Sequence, residues 1–456
     1  MRSPSDEAVL QSPAAMDARP VSTRPSIARP LALVLFVLLC LGGWLRLNAF
    51  GYPQTLQFDE HHFVENARNY LRHLPDWNDH PPLGKLILAT SIRLFGDHSI
   101  GWRLPSLIFG SFTILLGGWA AARLFRNRGA GYVAAAFLGA DGFLIAYSRA
   151  ALLDGFLATS AVGTLLLCSF DLSWATALLA GMLLGFSVSI KFSGIAIVVP
   201  LLLAWSLHQR WDRRRVLLAG LALTVAVIMS FGLYRFGLAL AGQPHAVTDI
   251  VRDVQRLFEH HAQLTDMKNP ATSGWITWAV PVRPLHLGRT DAPGQVRLLS
   301  MLGNLAIWWA AVCVALLALR AVLRHGTVAV ARQPQDPSGQ DPELASRLSS
   351  PLSWPEQFVH GRGRAVLVLL ATVAAFLAPW VLTHRDSYIY HFLPSYAALV
   401  VLLAGFIAWV AGRSARFALV FCVIVLLVAA FYGPIWAYLP VTRDALTYRL
   451  FLPSWR

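Results

Sequence analysis

The sequence predicts an all-α polytopic membrane protein: a bundle of about 11 transmembrane helices with an interfacial helix in its first outer loop. Hydrophobic residues make up 56% of the 456 residues and charged residues only 14%, whereas soluble globular proteins carry roughly 25% charged residues. Mean hydropathy is +0.54. The alternating pattern of membrane barrel strands is missing from the sequence, which leaves helices as the spanning elements that satisfy their own backbone groups.

The helix count comes from apolar stretches that each approach the roughly 20 residues a spanning helix needs. They cover residues 30–48, 104–124, 130–147, 152–170, 174–190, 193–208, 215–236, 298–322, 364–383, 388–411 and 415–436. Together these stretches predict a transmembrane domain over residues 30–436.

Three further segments lack such stretches. Residues 1–29 are rich in Ser, Pro and Ala and contain no short apolar core after the first Met, so they predict a disordered cytoplasmic tail rather than a cleaved signal peptide. Residues 325–361 are rich in Pro, Gln, Ser and Asp and predict a flexible cytoplasmic linker. Residues 437–456 predict an outer C-terminal tail.

The formal net charge is +14, and the placement of the arginines explains it. With a cytoplasmic N-terminus, the arginine-rich connections at 123–128, 210–215, 324–364 and 413–416 all lie inside, as the positive-inside rule requires. The charge is thus an orientation signal. It indicates a lipid bilayer, and not a nucleic acid, as the partner.

The same orientation leaves two long outer loops, residues 49–103 and 237–297. Connections longer than about 15 residues usually carry function. In the first loop, residues 59–74 place Phe63, Ala67 and Tyr70 on one side and charged residues on the other. This pattern predicts an interfacial helix that lies along the membrane.

Polar and aromatic residues gather on the predicted outer side, although orientation was set by the inner arginines alone. Ionisable groups near hydrocarbon are costly and usually have a function. The candidates are Asp59, Glu60, Asp79, His80, Arg149, Asp154, Lys191, Trp275, Trp278, Arg385, Tyr388 and His391.

These residue types fit the transfer of a sugar from a lipid phosphate. A carboxylate must take the proton of the attacking hydroxyl, and Asp59 is the first choice, with Glu60 beside it. Cations must hold the phosphodiester and stabilise the leaving phosphate. The candidates for that role are His80, Arg149, Lys191, Arg385 and His391; those for acceptor or sugar binding are Asp79, Asp154, Trp275, Trp278 and Tyr388.

Each candidate also has an ordinary structural interpretation. Asp59 and Glu60 fit an N-terminal helix cap and a first-turn acid. Arg149 and Lys191 fit basic side chains that snorkel to the interface, and His80 fits a turn before two prolines. The Trp, Tyr and His391 side chains fit an aromatic belt. Only their joint placement on one side favours a site.

Several segments, taken together, resemble the protein O-mannosyltransferases and their bacterial relatives among the multispanning glycosyltransferases of the GT-C type. The resemblance covers about residues 30–436. Its main segments are FDEHHFVENARNYL at 58–71, DHPPLGKLIL at 79–88, WRLPSLIFG at 102–110, SRAALLDGFL at 148–157, SIKFSG at 189–194, NPATSGWITWAVPVRP at 269–284, GNLAIWW at 303–309 and YIYHFLPSY at 388–396.

The resemblance implies an acid pair in the first outer loop, with Asp59 as the base and Glu60 near the acceptor. It also implies that Arg149 and Asp154 lie near the lipid phosphate. The sequence departs from the family's pattern in three places. His80 stands where related aminoarabinose transferases have Lys, Asn269 stands where the family often has His, and the loop 237–297 lacks the β-rich domain of eukaryotic members.

We therefore expect an inverting glycosyltransferase that moves a sugar, mannose by resemblance, from a polyprenyl-phosphate donor to a protein Ser or Thr hydroxyl. We expect it in a bacterial inner membrane, with its active site on the periplasmic or extracellular side. The alternatives are lipid A or another envelope glycolipid as the acceptor, or a transporter or flippase, for which charges at the membrane midplane are typical. No cofactor is predicted with certainty. A divalent metal, used by some relatives, stays open.

Overall fold

The computed structural model describes residues 28–75, 79–208, 211–265, 271–326, 354–383 and 386–456. The predicted tail 1–29 lies outside these residues apart from its last two. Residues 327–353 of the predicted linker 325–361 also lie outside, whereas its last residues form a short helix.

The structure consists mainly of helices. The first set is α1 (Ala28–Leu47), α2 (Glu60–Arg72), α3 (Leu83–Phe95), α4 (Ser99–Leu124), α5 (Arg128–Ala140), α6 (Gly142–Tyr147), α7 (Asp154–Leu167), α8 (Trp174–Ile190) and α9 (Val198–His208). The second set is α10 (Arg213–Leu240), α11 (Val247–Gln263), α12 (Leu305–His325), α13 (Trp354–His360), α14 (Gly363–Leu382), α15 (Leu393–Ala411), α16 (Ala415–Trp436) and α17 (Arg443–Arg449). Short 3-10 helices form at Phe192–Ile197, Trp275–Ala279, Ile389–Phe392 and Pro453–Trp455.

The predicted multi-pass membrane fold is confirmed. Among the described residues, seven helices are long and apolar enough to cross a membrane: α1, α4, α10, α12, α14, α15 with its preceding 3-10 turn, and α16. Three shorter apolar helices cover Asp154–Leu167, Trp174–Ile190 and Phe192–Leu207. The remaining predicted stretch, 130–147, is not one helix but the pair α5 and α6.

The break between α5 and α6 falls at Asp141, which adopts an extended backbone conformation. Its carboxylate accepts hydrogen bonds from the backbone N–H groups of Phe143 (3.0 Å) and Leu144 (3.2 Å), which caps α6. It also accepts one from the backbone of Asn304 (2.9 Å) and one from the hydroxyl of Tyr396 (2.7 Å). A buried carboxylate with four partners therefore joins α6, α12 and the central helix α15.

The loop 237–297 contains structure that the sequence analysis did not predict. Strands β1 (His286–Ala292) and β2 (Gln295–Ser300) form an antiparallel hairpin, and β3 (Pro440–Val441) from the predicted C-terminal tail joins β2. Because β2 includes residues 298–300, the apolar stretch 298–322 does not begin as a helix; α12 starts at Leu305. The signal for this hairpin was the turn Pro293–Gly294, whose glycine has φ 72°.

Helix α11 is the second unpredicted element of this loop. Ile250 and Leu257 are buried on one face and pack with Tyr234 and Leu238 of α10. The Tyr234 hydroxyl donates a 2.6 Å hydrogen bond to Asp253. Apolar residues at spacings of four and three, Ile250, Val254 and Leu257, were the sequence signal for it. This contact holds the end of α11 over the pocket described below.

Candidate active site

One pocket of about 240 Å³ collects residues from five of the connections that the sequence analysis placed outside. These are the first loop, the α6–α7 corner, the end of α8, the end of α11 and the segment before α15. The lining residues are Phe58, Asp59, His62, Phe63, Asp79, His80, Tyr147, Leu152, Asp154, Lys191, His260, His261, Leu264, Tyr388 and Tyr390. Six of the predicted site residues therefore meet in one place: Asp59, Asp79, His80, Asp154, Lys191 and Tyr388.

Asp59 occupies the N-cap position of α2, but among the described residues its carboxylate accepts no capping hydrogen bond from the helix backbone. The side chain is half-buried and faces the pocket. The capping interpretation therefore does not account for it. Burial raises the pKa of the Asp59 carboxyl to about 6, in spite of the opposing charges of Lys191 and His62. A carboxylate with a pKa near neutrality, next to a cavity, is suited to general-base chemistry.

Glu60, the other member of the acid pair, points elsewhere. It is fully buried, and both of its oxygens accept 2.8 Å hydrogen bonds from the guanidinium of Arg103 on α4. The same oxygens also accept from the backbone N–H groups of Ala151 (2.7 Å) and Gln57 (2.9 Å). This arrangement does not support the prediction that Glu60 acts at the acceptor, because its carboxylate is occupied and lies outside the pocket. Glu60 instead fixes the start of α2, and hence the position of Asp59.

Asp79 and His80 form the wall of the pocket before α3. The ring of His80 is stacked between Phe63 (centroids 6.1 Å apart) and His261 (5.3 Å), and this burial lowers its pKa well below the usual value. His80 is thus neutral at pH 7 and offers a hydrogen bond rather than a charge. Burial by itself raises the pKa of Asp79, but the neighbouring charges of Lys85 and Lys191 hold it below its usual value.

Lys191 is the cation of the pocket. It ends α8, is buried, and donates to both oxygens of Asp154 at the start of α7, at 3.0 and 2.8 Å. Its ammonium lies 5.5 Å from the centre of the Tyr390 ring. An ammonium group has three donors, so the pair with Asp154 leaves one for a ligand oxygen. The interpretation that Lys191 snorkels to the interface does not fit a side chain held inward by an ion pair.

Two tyrosines form the aromatic side of the pocket. The rings of Tyr388 and Tyr390 are stacked with centroids 5.5 Å apart, and Phe58 contacts Tyr390 edge-on at 6.2 Å. Aromatic faces of this kind suit the apolar face of a sugar ring.

The other predicted aromatic residues lie outside the pocket. Trp278 is 1% exposed, and its indole N–H donates to the Ser273 hydroxyl (3.1 Å). It packs among core aromatic rings and lies outside the pocket, and its role in binding the acceptor or sugar stays a prediction. Trp275 is half-exposed and does not line the pocket. His391 is buried, stacked on Trp380 with ring centroids 3.6 Å apart, behind Tyr390.

Arg149 also lies outside the pocket, and its contact with the donor phosphate stays a prediction. Its two terminal nitrogens donate to five backbone carbonyls between 2.8 and 3.1 Å away. The acceptors are Leu45, Arg46, Asn48, Ala49 and Ala437. Four of these carbonyls lie at or just after the C-terminal end of α1, where helix carbonyls lack partners. Arg149 therefore closes α1 and joins it to the end of α16.

Arg149→Met is expected to lower stability by about 2–4 kcal/mol, because several buried carbonyls lose their donors at once. The specific activity of the folded fraction should stay close to that of the wild type. Thermal melting in detergent and transfer assays on monodisperse protein measure the two effects. Arg72→Met, at an exposed position on α2, is the control. A stable Arg149→Met protein with impaired donor binding would return Arg149 to the site.

Arg385, a predicted phosphate ligand, and Asn269 lie outside the described residues.

The pocket and its support contain residues that sequence reasoning did not assign. His62 and His261 line the pocket, and the backbone oxygen of Asp79 lies 2.8 Å from the His261 ring nitrogen. Tyr390 lies in the segment 388–396 and Arg103 in the segment 102–110. Both segments carry the family resemblance, so the sequence did point to these two residues. His261 had no such signal, since it depends on the position of α11.

A metal does not fit the described part of the chain. No group of three or more His, Cys, Asp or Glu side chains has an arrangement that could hold an ion within those residues. Glu60 is engaged by Arg103, and Asp154 by Lys191.

Comparison with known proteins identifies the family of this chain. Family models described as dolichyl-phosphate-mannose-protein mannosyltransferase match residues 36–101 and 79–234. A third model, the C-terminal four TMM region of protein-O-mannosyltransferase, matches residues 247–455. Together the three models cover nearly the whole transmembrane domain.

Bacterial relatives align over most of their length. The polyprenol-phosphate-mannose–protein mannosyltransferase of Mycobacterium tuberculosis is 26% identical, with 91% of this chain and 89% of the relative covered. That of Mycolicibacterium smegmatis is 25% identical, with 93% and 92% covered.

Solved structures share the fold. The protein O-mannosyltransferase Pmt1–Pmt2 complex of S. cerevisiae, bound to the sugar donor, matches with a TM-score of 0.72 at 14% identity, covering 96% of each chain. ArnT from Cupriavidus metallidurans in the apo state matches with a TM-score of 0.55 at 15% identity, covering 94% of this chain and 69% of ArnT. From the family matches, the aligned relatives and the shared fold, we conclude that this chain belongs to the protein O-mannosyltransferase family of membrane glycosyltransferases.

Proposed function

We propose that this protein transfers mannose from a polyprenyl-phosphate carrier to a Ser or Thr hydroxyl of a protein, with inversion at the anomeric carbon. The observation that carries the proposal is Asp59: a carboxylate with a pKa of about 6 that faces a pocket and serves no cap. The names of the bacterial relatives, polyprenol-phosphate-mannose–protein mannosyltransferases, support the choice of donor and acceptor.

In the proposed reaction the acceptor oxygen forms a bond to the anomeric carbon as Asp59 takes its proton. The bond between that carbon and the phosphate oxygen breaks, and the lipid phosphate leaves with the electron pair. Lys191 lies in the same pocket and has one donor available for a phosphate oxygen, where its charge stabilises the leaving group. A single displacement of this kind inverts the anomeric centre.

We propose that the pocket faces the non-cytoplasmic side of a bacterial inner membrane. The support is positional. The pocket is built from five connections on one end of the bundle, and the arginine-rich connections, which the positive-inside rule keeps in the cytoplasm, lie at the opposite helix ends. Accessibility labelling of a single cysteine at His62, an exposed pocket position, tests this orientation in intact cells. Labelling only after the membrane is broken would reverse it.

The test of the function is in vitro transfer from synthetic polyprenyl-phosphate sugars to a panel of acceptors. Mannose and a Ser- or Thr-containing peptide should give the highest turnover. Transfer to lipid A or another glycolipid, with peptides inert, would overturn the acceptor assignment while leaving the glycosyltransferase intact.

Lys191→Met is expected to reduce donor use roughly tenfold to hundredfold, the effect of losing one charge-assisted hydrogen bond. Since this change also leaves Asp154 buried without its cation, the matched variant is the double change Lys191→Met with Asp154→Leu, which removes both charges. The double variant should recover thermal stability but not donor binding. Isothermal titration with polyprenyl-phosphate mannose measures the binding. Full binding by the double variant would remove Lys191 from the phosphate site.

A further inference from the structure

A second cavity, of about 90 Å³, lies at the end of the bundle opposite the candidate active site. It is formed by the C-terminal ends of α4, α7 and α9 and by the N-terminal end of α14, helices whose other ends lead towards the active-site pocket. Arg123, Arg126 and Arg364 line it. We call it the arginine cavity.

The arginines of this cavity lack acidic partners. None of the three forms an ion pair with a carboxylate within the described ranges. Arg123 and Arg126 are exposed, and Arg364 is partly buried. Three positive charges around one cavity, with no carboxylate of the described residues to neutralise them, favour an anion there.

The helix dipoles favour a positive charge at the position of Arg123 but not at that of Arg364. Arg123 lies in the last turn of α4, where a cation is favourable, and its Nε donates to the Ser169 hydroxyl at 3.0 Å. Arg364 lies in the first turn of α14, the end at which a cation is unfavourable, and the N-cap residue Arg362 provides no side-chain cap. The Nε of Arg364 is buried and has no hydrogen-bond partner among the described residues. A buried donor at a positive helix end is the arrangement that an anion completes.

The remaining lining indicates what kind of anion. Leu124, Leu207 and Val368 give the cavity an apolar side, next to helices whose outer faces are apolar and exposed. A free ion gains nothing from contact with apolar side chains. A lipid, in contrast, presents its phosphate beside its glycerol and acyl chains, which can pack against them. Clusters of basic residues between helices at the cytoplasmic surface are suited to anionic lipid headgroups.

We propose that the arginine cavity binds the phosphodiester of an anionic phospholipid in the leaflet opposite the active site. Arg364 donates from its buried nitrogen, and Arg123 and Arg126 close over the headgroup from the α4 end. The site is independent of the proposed transfer reaction. It holds the ends of α4 and α14 together through a lipid.

The experiment uses the full-length protein in detergent, with lipid binding followed by native mass spectrometry and by thermal melting. The probes are dioleoylphosphatidylglycerol, dioleoylphosphatidylcholine and inorganic phosphate. Phosphatidylglycerol should stay bound and raise the melting temperature, and phosphatidylcholine should do so much less. Arg364→Gln should weaken phosphatidylglycerol binding roughly tenfold or more. Arg416→Gln, an exposed arginine at the same end of the bundle, should leave it unchanged.

Arg126→Gly keeps the proposal testable if Arg364→Gln does not fold. Arg126 has φ 49°, which a glycine adopts without strain, so this variant should be at least as stable as the wild type without lipid, yet bind phosphatidylglycerol more weakly. Equal lipid binding by wild type, Arg364→Gln and Arg126→Gly would overturn the proposal. So would a melting shift with inorganic phosphate and none with phosphatidylglycerol, since the site would then take a free ion.

Discussion

Asp59→Asn is expected to abolish mannosyl transfer while raising thermal stability above about pH 6. Activity is lost because an amide cannot accept the proton of the acceptor hydroxyl. Stability rises because the native pocket raises the pKa of this carboxyl from 3.8 to about 6, so that the ionised side chain is less favourable in the folded state than in the unfolded state.

The sign of the stability effect follows from proton linkage. Below about pH 4 the carboxyl is protonated in both states, and the wild type and variant should melt alike. Between about pH 4 and 6 the unfolded state releases its proton first, so the free energy of unfolding of the wild type falls as pH rises. Above about pH 6 the ionised carboxylate destabilises the folded state to the full extent, and Asp59→Asn removes this destabilisation. Melting curves across this range, in one detergent, measure the difference.

The same pKa sets the pH dependence of the reaction. Wild-type kcat/KM should rise about tenfold per pH unit below about pH 6 and level off above it, because the base must be ionised. Asp444→Asn, a first-turn acid of the exposed helix α17, is the matched control and should keep both activity and profile. A variant at Asp59 that retains substantial transfer, or that melts earlier than the wild type at pH 8, would contradict the assignment.

Glu60→Ala is expected to cost about 3–5 kcal/mol of stability, enough to prevent accumulation of folded protein, since it leaves the guanidinium of Arg103 buried without its carboxylate. Both side chains are at most 1% exposed, and the pair is 2.8 Å apart. Expression, gel filtration and thermal melting measure the loss.

The double variant Glu60→Met with Arg103→Met separates a positioning role from a chemical one. Removing both charges should recover much of the stability, since apolar replacements of a buried pair are often tolerated. If Glu60 only positions Asp59, this protein should be active, at a reduced rate, with a pH profile that still turns near pH 6. A folded double variant whose inflection has disappeared would give Glu60 a direct part in the chemistry.

The difference between Asp59 and Glu60 shows what local sequence cannot predict. The two carboxylates are adjacent, and the sequence pattern treated them as one acid pair. Successive helical residues point about 100° apart, and here the two neighbours lie in different surroundings. Asp59 faces the cavity and Glu60 faces α4. Glu60 is the carboxylate that forms an ion pair because Arg103, 43 residues away, lies beside it in the fold.

Arg149 and Lys191 show the same limit. Both are basic residues at the ends of apolar stretches, and local sequence does not distinguish them. Lys191 meets Asp154 in the pocket, whereas Arg149 meets the unpaired carbonyls after α1 and the carbonyl of Ala437, 288 residues away. The burial of Trp278 likewise depends on distant residues, because Trp380 and Phe392 pack against it.

The sequence by itself determined the membrane fold, the positions of the apolar helices, the helix of the first outer loop and the end of the bundle at which polar residues gather. These properties follow from hydropathy and helical periodicity, which can be read from neighbouring residues along the chain. Only the tertiary structure decided which polar residues share the pocket, that α11 contributes two histidines to it, and that three arginines line a cavity at the opposite end. Those outcomes depend on contacts between residues far apart in sequence, and such contacts leave no local pattern.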